Sequence, residues 1–521
     1  MITLKSYVSG QWVAGKSNPA TLVNATTEAP VAEASTDGVD FAAALRFGRD
    51  KGGPALRAMT FAQRGALLKK LSDVVAAHRD ELMNLGIENA GNTRSDAKFD
   101  VDGATFTLAA YAELCTGLGE ARFLVDGDPV AIGRSSRLSG QHVMLPRHGV
   151  AVHINAFNFP AWGMAEKAAV SLAAGMPFIA KPATATALLA WRMFELWVES
   201  GALPEGAAQF LAGGVGDLFD HLGPQDVVAF TGSSHTAVKL KSHPRVLEKG
   251  VAFNVEADSL NVAICGPDLS RGTPAYDLFL GDVVKEMTQK AGQKCTAIRR
   301  IFVPAELLES VREDLVERLG NQKVGAPTAE GVVVGPLSTA QQKKDVLAGM
   351  RKLMNVAKVL VGGPDGVKLV GADEKKGFFV MPTLLEAPDA DAAREVHELE
   401  VFGPVATLMS YRDAAHVTAL AARGEGGLVA SVYTDDKKFA SEVFFGLAPH
   451  HGRVCLGSEK MAGAAVPPGT VIPTLLHGGP GRAGGGEELG GLRGMRLYMQ
   501  RTAVQGFGPL LESLAAGGKK V

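Results

Sequence analysis

Cysteines and paired metal ligands are scarce in this sequence. Its 521 residues contain 4 cysteines, which are too few and too widely spaced for a disulfide framework. No C-x-x-C pair is present, and none of the 12 histidines forms an H-x-x-x-H pair or lies at ligand spacing from a cysteine. The sequence therefore predicts neither structural disulfides nor a bound metal.

An excess of one charge and a membrane-spanning run are also missing. The 53 basic and 55 acidic residues leave a net charge of −2, which offers no electrostatic surface for nucleic acid or anionic lipid. The uncharged stretch from Met461 to Gly481 contains four prolines, which no stable spanning helix tolerates. The first residues lack the apolar core of a signal peptide. We expect a soluble, cytoplasmic protein that binds neither nucleic acid nor membrane.

Short apolar runs alternate with helical periodicity from about Pro146 onward. This alternation is typical of βαβ units and a mostly parallel sheet, and it occurs in two successive blocks. The predicted strands are Gly149–Ile154, Pro177–Lys181, Ala207–Leu211, Val227–Phe230, Val251–Val255, Asn261–Cys265 and Arg300–Val303. The predicted helices are Ala161–Ala174, Leu188–Ser200, Tyr276–Lys290 and Ala305–Leu319.

Two glycine-rich segments match phosphate-loop patterns but lack the helix that such loops need. Gly10–Ser17 (GQWVAGKS) is followed by prolines and β-branched residues, so a two-stranded hairpin is the better interpretation. Gly479–Gly484 (GPGRAG) is followed by further glycines, which are poor helix formers. We interpret neither segment as a nucleotide site.

The segment Arg122–Met144 predicts a β-hairpin with no helix of its own to cover it. Two interpretations stay open: the hairpin pairs with another subunit, or it lies at an edge of its own domain. Near the C-terminus, Arg496–Val504 alternates in polarity and is rich in β-forming residues, so it predicts a strand.

Cys295 has the strongest chemical setting of the four cysteines. It lies in KAGQKCTAIRR, between a predicted helix and a predicted strand, beside Lys294, Arg299 and Arg300. Basic neighbours can lower a thiol pKa from about 8.5 and so raise the reactive thiolate fraction. The alternative is an inert, buried cysteine. We interpret the other three cysteines in that second way: Cys115, Cys265 and Cys455.

Three further segments place polar groups at the ends of predicted strands. Glu256 ends an apolar strand, where burial should raise its pKa toward neutrality and suit it to general-base catalysis; a surface glutamate is the alternative. Asn158, in AFNFP, can donate to a developing oxyanion. Gly232 and Ser233, in FTGSS, can contact a phosphate.

In their order and spacing, these segments resemble the aldehyde dehydrogenase superfamily along nearly the whole chain. The resemblance is carried by AFNFP, IAKPA, FTGS, VEADSLN, GQKC, EVFGPV and a glycine-rich loop that ends in Glu488. VEADSLN and AGQKCTAIRRI are most similar to the members that act on CoA-linked semialdehydes in the aerobic degradation of aromatic compounds such as benzoate.

The resemblance implies an α/β fold with a Rossmann-like cofactor domain, an α/β catalytic domain and a β oligomerisation element. The implied boundaries are 1–121 and 145–255 for the cofactor domain, 256–491 for the catalytic domain, and 122–144 with 492–521 for the oligomerisation element. It also implies a homodimer or a dimer of dimers.

The implied activity is the oxidation of an aldehyde, here a CoA-linked semialdehyde, to a carboxylic acid. Cys295 would attack the aldehyde to form a thiohemiacetal and then a thioester, while the Asn158 amide and the Cys295 backbone N–H hold the oxyanion. Glu256 would activate the hydrolytic water. Lys167 and Glu488 either relay the proton from this base or form a structural ion pair.

The resemblance also assigns a set of cofactor contacts. NAD-preferring relatives usually carry glutamate at position 184, where a carboxylate repels the 2′-phosphate of NADP. Thr184 removes that repulsion beside the cationic Lys181, so we predict NADP over NAD. The implied contacts are Lys181, Thr184, Gly216, Gly232, Ser233, Glu400 and Phe402.

This sequence departs from the family pattern at two places. Ala257 and Asp258 replace the usual Gly-Gly after Glu256, and Asp258 would raise the pKa of Glu256 further if the two were close. Glu487 replaces the usual arginine before Glu488.

Three rival functions stay open. The first is a general dehydrogenase of medium- or long-chain aliphatic aldehydes. The second is a CoA-acylating dehydrogenase, against which Glu256 argues, because acylating relatives typically lack the general-base glutamate. The third is a non-catalytic protein that kept the fold.

Overall fold

The computed structural model describes residues 1–134 and 137–521, which form a mixed α/β protein with two seven-stranded sheets. In the first sheet five strands run parallel, and an N-terminal hairpin extends the edge in antiparallel orientation. The predicted parallel sheet is confirmed, and the first glycine motif lies in this hairpin. The strands in spatial order are Ala252–Glu256, Val227–Thr231, Ala151–Ile154, Phe178–Lys181, Ala208–Phe210, Ser6–Val8 and Gln11–Val13.

Side chains alternate along each strand, so the first sheet has an apolar core on each face. Phe178 and Ala180 belong to one core and Ile179, between them, belongs to the other. The long helix Arg94–Leu118 packs in the first core and begins with a capping box between Thr93 and Asp96. The other helices of this half are Phe41–Phe47, Gly53–Ala58, Phe61–Ala77, Arg79–Ala90, Trp162–Ala174, Ala187–Glu199, Ser234–Lys241 and Pro244–Lys249.

The second sheet has six parallel strands and one antiparallel edge strand, Lys358–Val361. The remaining strands in spatial order are Thr383–Glu386, Val405–Tyr411, Arg300–Pro304, Val262–Cys265, Gly427–Tyr433 and His451–Gly457. The accompanying helices are Pro274–Thr288, Leu308–Gly320, Ala340–Leu353, Arg394–Glu398, Ala414–Ala422 and Lys437–Leu447.

The helix predicted over Tyr276–Lys290 ends two residues early, at Thr288. Lys290 and Ala291 adopt positive φ values of 58° and 51°, in the left-handed region that ordinary residues rarely populate. The chain leaves the helix axis there and enters the turn that carries Cys295.

A separate four-stranded sheet contains the predicted hairpin and the C-terminal strand. Its order is Met499–Phe507, Leu138–Pro146, Leu124–Ala131 and Lys519–Lys520, and the helix Gly508–Ala515 follows the first of these. Residues 135–136 of the predicted hairpin lie outside the described residues. The C-terminal strand begins at Met499 instead of the predicted Arg496, because residues 496–498 form a 3₁₀ turn.

Three small sheets complete the fold. In the first, Pro30–Ala34 lies between Ile2–Leu4 and Ala20–Val23. The second pairs Val324–Gly325 with Leu369–Val370. The third pairs Leu476–Gly478 with Glu487–Leu489 and thereby sets His477 opposite Glu488. Among the helices of the described residues, none combines the length and the apolar character needed to cross a bilayer.

Candidate active site

Cys295, Glu256 and His477 meet at one point although they are far apart in the sequence. Glu256 is the last residue of the strand Ala252–Glu256, and Cys295 lies in the turn before the strand Arg300–Pro304. The Nε2 atom of His477 is 3.0 Å from Oε1 of Glu256 and 3.7 Å from Sγ of Cys295. The three side chains therefore form a contiguous cluster of thiol, imidazole and carboxylate.

Sequence analysis missed His477. It stands 221 residues from Glu256 and 182 from Cys295, in a glycine-rich segment without helical or strand periodicity. The only local signal is a lone imidazole between apolar residues and glycines, and that pattern does not distinguish a site residue from a core residue.

The pKa of Glu256 is shifted in the direction opposite to the prediction. Burial alone raises it, but the charge of His477, its hydrogen bond and the charge of Lys167 outweigh that effect and lower the pKa to about 2. Conversely, burial lowers the pKa of His477, but the charge of Glu256 raises it above its usual value overall. The prediction of a near-neutral glutamate was wrong because it considered only the apolar strand.

The prediction that basic neighbours lower the pKa of Cys295 was also wrong. Burial and the negative charge of Glu256 raise this pKa well above its usual value, and Lys294 offsets them only in part. Arg299 donates instead to the carbonyl oxygens of Gly292 and Gly403, at 2.9 and 2.6 Å.

Arg300 likewise points away from the thiol. It donates to the carbonyl oxygens of Leu260 and Leu420, at 2.9 and 3.0 Å. The resting site therefore holds a neutral thiol beside a carboxylate, and the carboxylate is placed to take the thiol proton as the sulfur attacks.

The loop that carries Cys295 is held by two asparagines. Nδ2 of Asn261 donates to the carbonyl oxygens of Cys295 and Ala297, at 2.8 and 2.9 Å. Nδ2 of Asn158 donates to the carbonyl oxygen of Gln293 at 3.0 Å, and Asn158 lines the same cavity as Cys295. Asn158 is thus placed as predicted, whereas Asn261 was not identified from the sequence.

Lys167 and Glu488 form the ion pair that was one of the two predicted alternatives. Nζ of Lys167 lies 3.0 Å from Glu488, 3.4 Å from Glu166 and 2.7 Å from Oγ1 of Thr231. The Thr231 hydroxyl in turn lies 3.5 Å from Oε2 of Glu256. The ion pair is therefore linked to Glu256 through one hydroxyl, so the contacts of a proton relay are also present.

Asp258 does not join the cluster around Cys295. Its carboxylate accepts a hydrogen bond from the backbone N–H of Ser234 at 2.9 Å and a second one from the Ser234 hydroxyl. Its charge contributes instead to raising the pKa of Glu400. The structure gives no contact through which Asp258 would raise the pKa of Glu256.

A cavity of about 760 Å³ opens beside Cys295 and Glu256. Glu400, partly buried within it, accepts a hydrogen bond from the Ser259 N–H at 3.0 Å through Oε2. Its Oε1 lies 3.7 Å from Nε of Arg299 in an ion pair and has no hydrogen-bond partner within the described residues, so it can still accept from a hydroxyl donor. The predicted cofactor contacts that line the cavity are Lys181, Gly232, Ser233, Glu400 and Phe402.

The two other predicted cofactor residues, Thr184 and Gly216, are not among the described residues that line this cavity. Thr184 begins a 3₁₀ turn, Thr184–Thr186, three residues after Lys181. Gly216 has φ +46°, and a Cβ there would come within 2.4 Å of the Phe41 ring. Gly216 therefore has a packing reason to be glycine, whatever it binds.

An aromatic wall borders Cys295 on its other side, around a cavity of about 50 Å³. The rings of Phe99, Phe159 and Trp162 pack edge to face, with centroids 5.1 to 5.9 Å apart. The cavity also reaches His477 and Cys295. This wall can hold the apolar part of an aldehyde against the thiol.

Replacing His477 with phenylalanine is expected to move the acid limb of the kcat/KM profile to higher pH. Without the imidazole, burial and the nearby charge of Glu166 raise the pKa of Glu256, and the charge of Lys167 and the hydrogen bond with Cys295 oppose them less strongly than His477 does. Glu256 then becomes protonated at a higher pH, and activity falls about tenfold per pH unit below that pKa. H477Q, which keeps a hydrogen-bond donor but no charge, should lie in between. An unchanged acid limb in both variants would contradict this assignment.

A family model and a curated relative each match most of the chain. The model of the aldehyde dehydrogenase family matches residues 12–504. A 3,4-dehydroadipyl-CoA semialdehyde dehydrogenase from Aromatoleum evansii is 46% identical over 477 residues, which are 92% of this chain and 93% of that protein.

Two solved structures are similar along most of their length. Betaine aldehyde dehydrogenase from Staphylococcus aureus, in complex with NAD⁺, has a TM-score of 0.84 at 23% identity, covering 97% of this chain and 95% of that one. An aldehyde dehydrogenase variant from Bacillus cereus has a TM-score of 0.82 at 24% identity, covering 97% and 96%. At these identities the likeness concerns the fold.

Proposed function

Because the chain belongs to the aldehyde dehydrogenase family and is an oxidoreductase that acts on aldehydes, we propose that it oxidises a CoA-linked semialdehyde to the carboxylic acid with NADP. The substrate we propose is 3,4-dehydroadipyl-CoA semialdehyde, the one named in the 46%-identical relative. The observation that carries the reaction is the contact cluster of Cys295, Glu256 and His477, which joins a nucleophile to a base.

The first step is attack of Cys295 Sγ on the aldehyde carbon. The thiol is neutral at rest, so its proton passes to the Glu256 carboxylate as the C–S bond forms. The carbonyl oxygen becomes an oxyanion, which the Asn158 amide and the Cys295 backbone N–H are placed to hold. The hydrogen bond from Asn158 to Gln293 fixes the amide before the substrate arrives.

The second half of the reaction is hydrolysis of the thioester on Cys295. A water between the thioester and Glu256 gives its proton to the carboxylate, and the acid product leaves with the thiol restored. The proton taken earlier from the thiol must first leave Glu256, and Thr231 and Lys167 provide a path for it toward Glu488; the proton taken from water then returns to the sulfur. The buried His477 keeps the carboxylate turned toward the sulfur.

The cavity beside Cys295 fits a nicotinamide dinucleotide. When bound, this cofactor accepts the hydride that converts the thiohemiacetal to the thioester. Oε1 of Glu400, which has no hydrogen-bond partner within the described residues, would accept from a ribose hydroxyl, Phe402 would contact the nicotinamide, and Lys181 and Ser233 would hold the adenosine ribose and the pyrophosphate.

Thr184 is expected to make NADP the better cofactor. In the unaltered protein kcat/KM for NADP should exceed that for NAD, and T184E should reverse the order, because the new carboxylate repels the 2′-phosphate and accepts from the free hydroxyls of NAD. In T184E, kcat/KM for NADP should fall by at least about tenfold, which corresponds to about 1.4 kcal/mol. T184S is the matched control and should keep the preference. A kcat/KM for NAD equal to or above that for NADP in the unaltered protein would refute the proposed preference for NADP.

The substrate is tested by comparing CoA-linked semialdehydes with unlinked aldehydes of equal chain length. We expect the CoA-linked compounds to have the higher kcat/KM, since the CoA moiety adds binding energy remote from the reacting carbon. If free aldehydes were better by a wide margin, the enzyme would be a general aliphatic aldehyde dehydrogenase with the same chemistry. Formation of an acyl-CoA from added CoA and a plain aldehyde would favour the acylating alternative.

We also propose that the four-stranded sheet pairs two subunits. Its strands and the following helix expose large apolar side chains to an unusual degree. They are Val130, Leu138, Leu145, Phe507, Leu510 and Leu514. This exposure supports the interpretation of the hairpin as a subunit contact.

A further inference from the structure

The cluster of Cys295, His477 and Glu256 has the composition of a metal site as well as of a catalytic site. One sulfur, one imidazole nitrogen and one carboxylate oxygen lie within 4.8 Å of one another. Three protein ligands of these kinds with a fourth, open position are the arrangement of catalytic zinc sites. The sequence predicts no metal because these residues are scattered along the chain.

The distances within the cluster are close to the edges of a zinc tetrahedron. With zinc bonds of about 2.3 Å to sulfur and about 2.0–2.2 Å to nitrogen and oxygen, the S–N edge is about 3.6 Å and the N–O edge about 3.4 Å. The observed Sγ–Nε2 distance of 3.7 Å agrees with the first edge, the Nε2–Oε1 distance of 3.0 Å is shorter than the second, and the sulfur and the carboxylate oxygen lie within 4.8 Å of each other. Binding of an ion therefore requires side-chain rotations that separate Nε2 from Oε1.

The surroundings favour a divalent cation. The carboxylate oxygens of Glu166 and Glu488 lie within 4.8 Å of that of Glu256, and Lys167 is the cation set among them. The cavity of about 760 Å³ reaches both Cys295 and Glu256, which gives an ion a route from solvent. A mixed sulfur and nitrogen ligand set selects zinc or cobalt over magnesium or calcium.

We propose that Cys295, His477 and Glu256 form a three-ligand site for zinc or a similar borderline-soft divalent cation, and that a bound ion blocks the nucleophile reversibly. Binding replaces the S–H bond by an S–metal bond and releases that proton to solvent. Nε2 of His477 coordinates through its lone pair, so its proton moves to Nδ1 or is released. No electron is transferred. The inhibition rests on the proposed function, whereas the binding does not.

Cobalt(II) is the probe for binding, because its thiolate charge-transfer absorption and its d–d bands report sulfur ligation and tetrahedral geometry independently of activity. Titration of the full-length, metal-free protein should give one cobalt per chain with both signals, and zinc should displace it. H477F and H477Q should each weaken binding by at least about 100-fold, since even outer-shell partners contribute about 10–100-fold. Two histidine variants are used because glutamine keeps the hydrogen bond to Glu256 if phenylalanine disturbs folding.

The control variant is C455S, because Cys455 packs on the same small apolar cluster as Cys295 without touching Glu256 or His477. It should bind cobalt as the unaltered protein does. Zinc should inhibit aldehyde oxidation and a chelator should restore it, whereas magnesium should do neither. No thiolate absorption, or equal affinity in the His477 variants, would overturn the site. A protein that binds cobalt as described but oxidises no aldehyde without metal would contradict the proposed function and leave the site standing.

Discussion

Replacement of Cys295 by serine is expected to lower kcat/KM for aldehyde oxidation by at least about 10³-fold. A hydroxyl is far less acidic than a thiol, so it loses its proton much less readily to Glu256, whose pKa is lowered to about 2, or to the neighbouring His477. Steady-state rates of reduced cofactor formation measure the loss, and thermal unfolding shows whether the fold is retained.

The matched control for C295S is C455S. Both sulfurs pack on the apolar cluster of Leu428, Val429 and Ala483, but Cys455 lies in the strand His451–Gly457. C455S should therefore keep its activity. If C295S oxidised aldehydes as fast as the unaltered protein, the covalent mechanism would be excluded.

Replacement of Glu256 by glutamine is expected to separate the two halves of the reaction. Hydrolysis should slow by about 10²–10⁴-fold, because an amide cannot take a proton from water. Formation of the thioester should slow far less than hydrolysis, because loss of the carboxylate charge lowers the pKa of Cys295 and so offsets in part the loss of the group that takes the thiol proton. The expected result is a burst of one reduced cofactor per site followed by a very slow steady state.

Intact mass spectrometry gives an independent readout of E256Q, since the acyl group should accumulate on the protein and disappear in E256Q/C295S. E487Q is the matched control, because Glu487 is an exposed glutamate at the start of the strand Glu487–Leu489, whereas Glu256 is buried. It should turn over without accumulation. If E256Q turned over repeatedly at the rate of the unaltered protein, Glu256 would not be the general base.

The raised pKa of Cys295 predicts a resting protein that resists oxidation and alkylation at this residue. A thiol whose pKa is raised well above its usual value is a poor target for oxidants and alkylating agents, which react with thiolates. In the proposed reaction the proton leaves as the sulfur attacks the aldehyde. The raised pKa of Cys295 is thus compatible with a nucleophile that ionises during attack and not before it.

The secondary structure was largely predictable from local patterns. Apolar runs of four to six residues predicted the strands around Ile154, Lys181 and Phe230, because a parallel strand covered on both faces needs apolar side chains throughout. The predicted helix boundary is wrong where backbone dihedral angles depart from regular values, as at Lys290 and Ala291. Hydrophobic periodicity carries no information about positive φ.

Candidate residues were predictable where they stand in ordered motifs. Cys295, Glu256 and Asn158 were selected by segment and order, and the structure brings them to one cavity. His477, Asn261 and Thr231 were missed, because each acts through a contact with a residue distant in the chain. The roles of all six stay predictions until the variants are measured.

The amino-acid sequence by itself determined the alternating strands and helices, the family, and the candidate nucleophile and candidate base, since these depend on local patterning and on motifs. Only the tertiary structure decided the charge state of the site. Burial raises the pKa of a carboxyl group, and Glu256 nevertheless has its pKa lowered to about 2, since an imidazole 221 residues away lies 3.0 Å from it. Coulomb energy depends on distance in space, which no one-dimensional pattern contains.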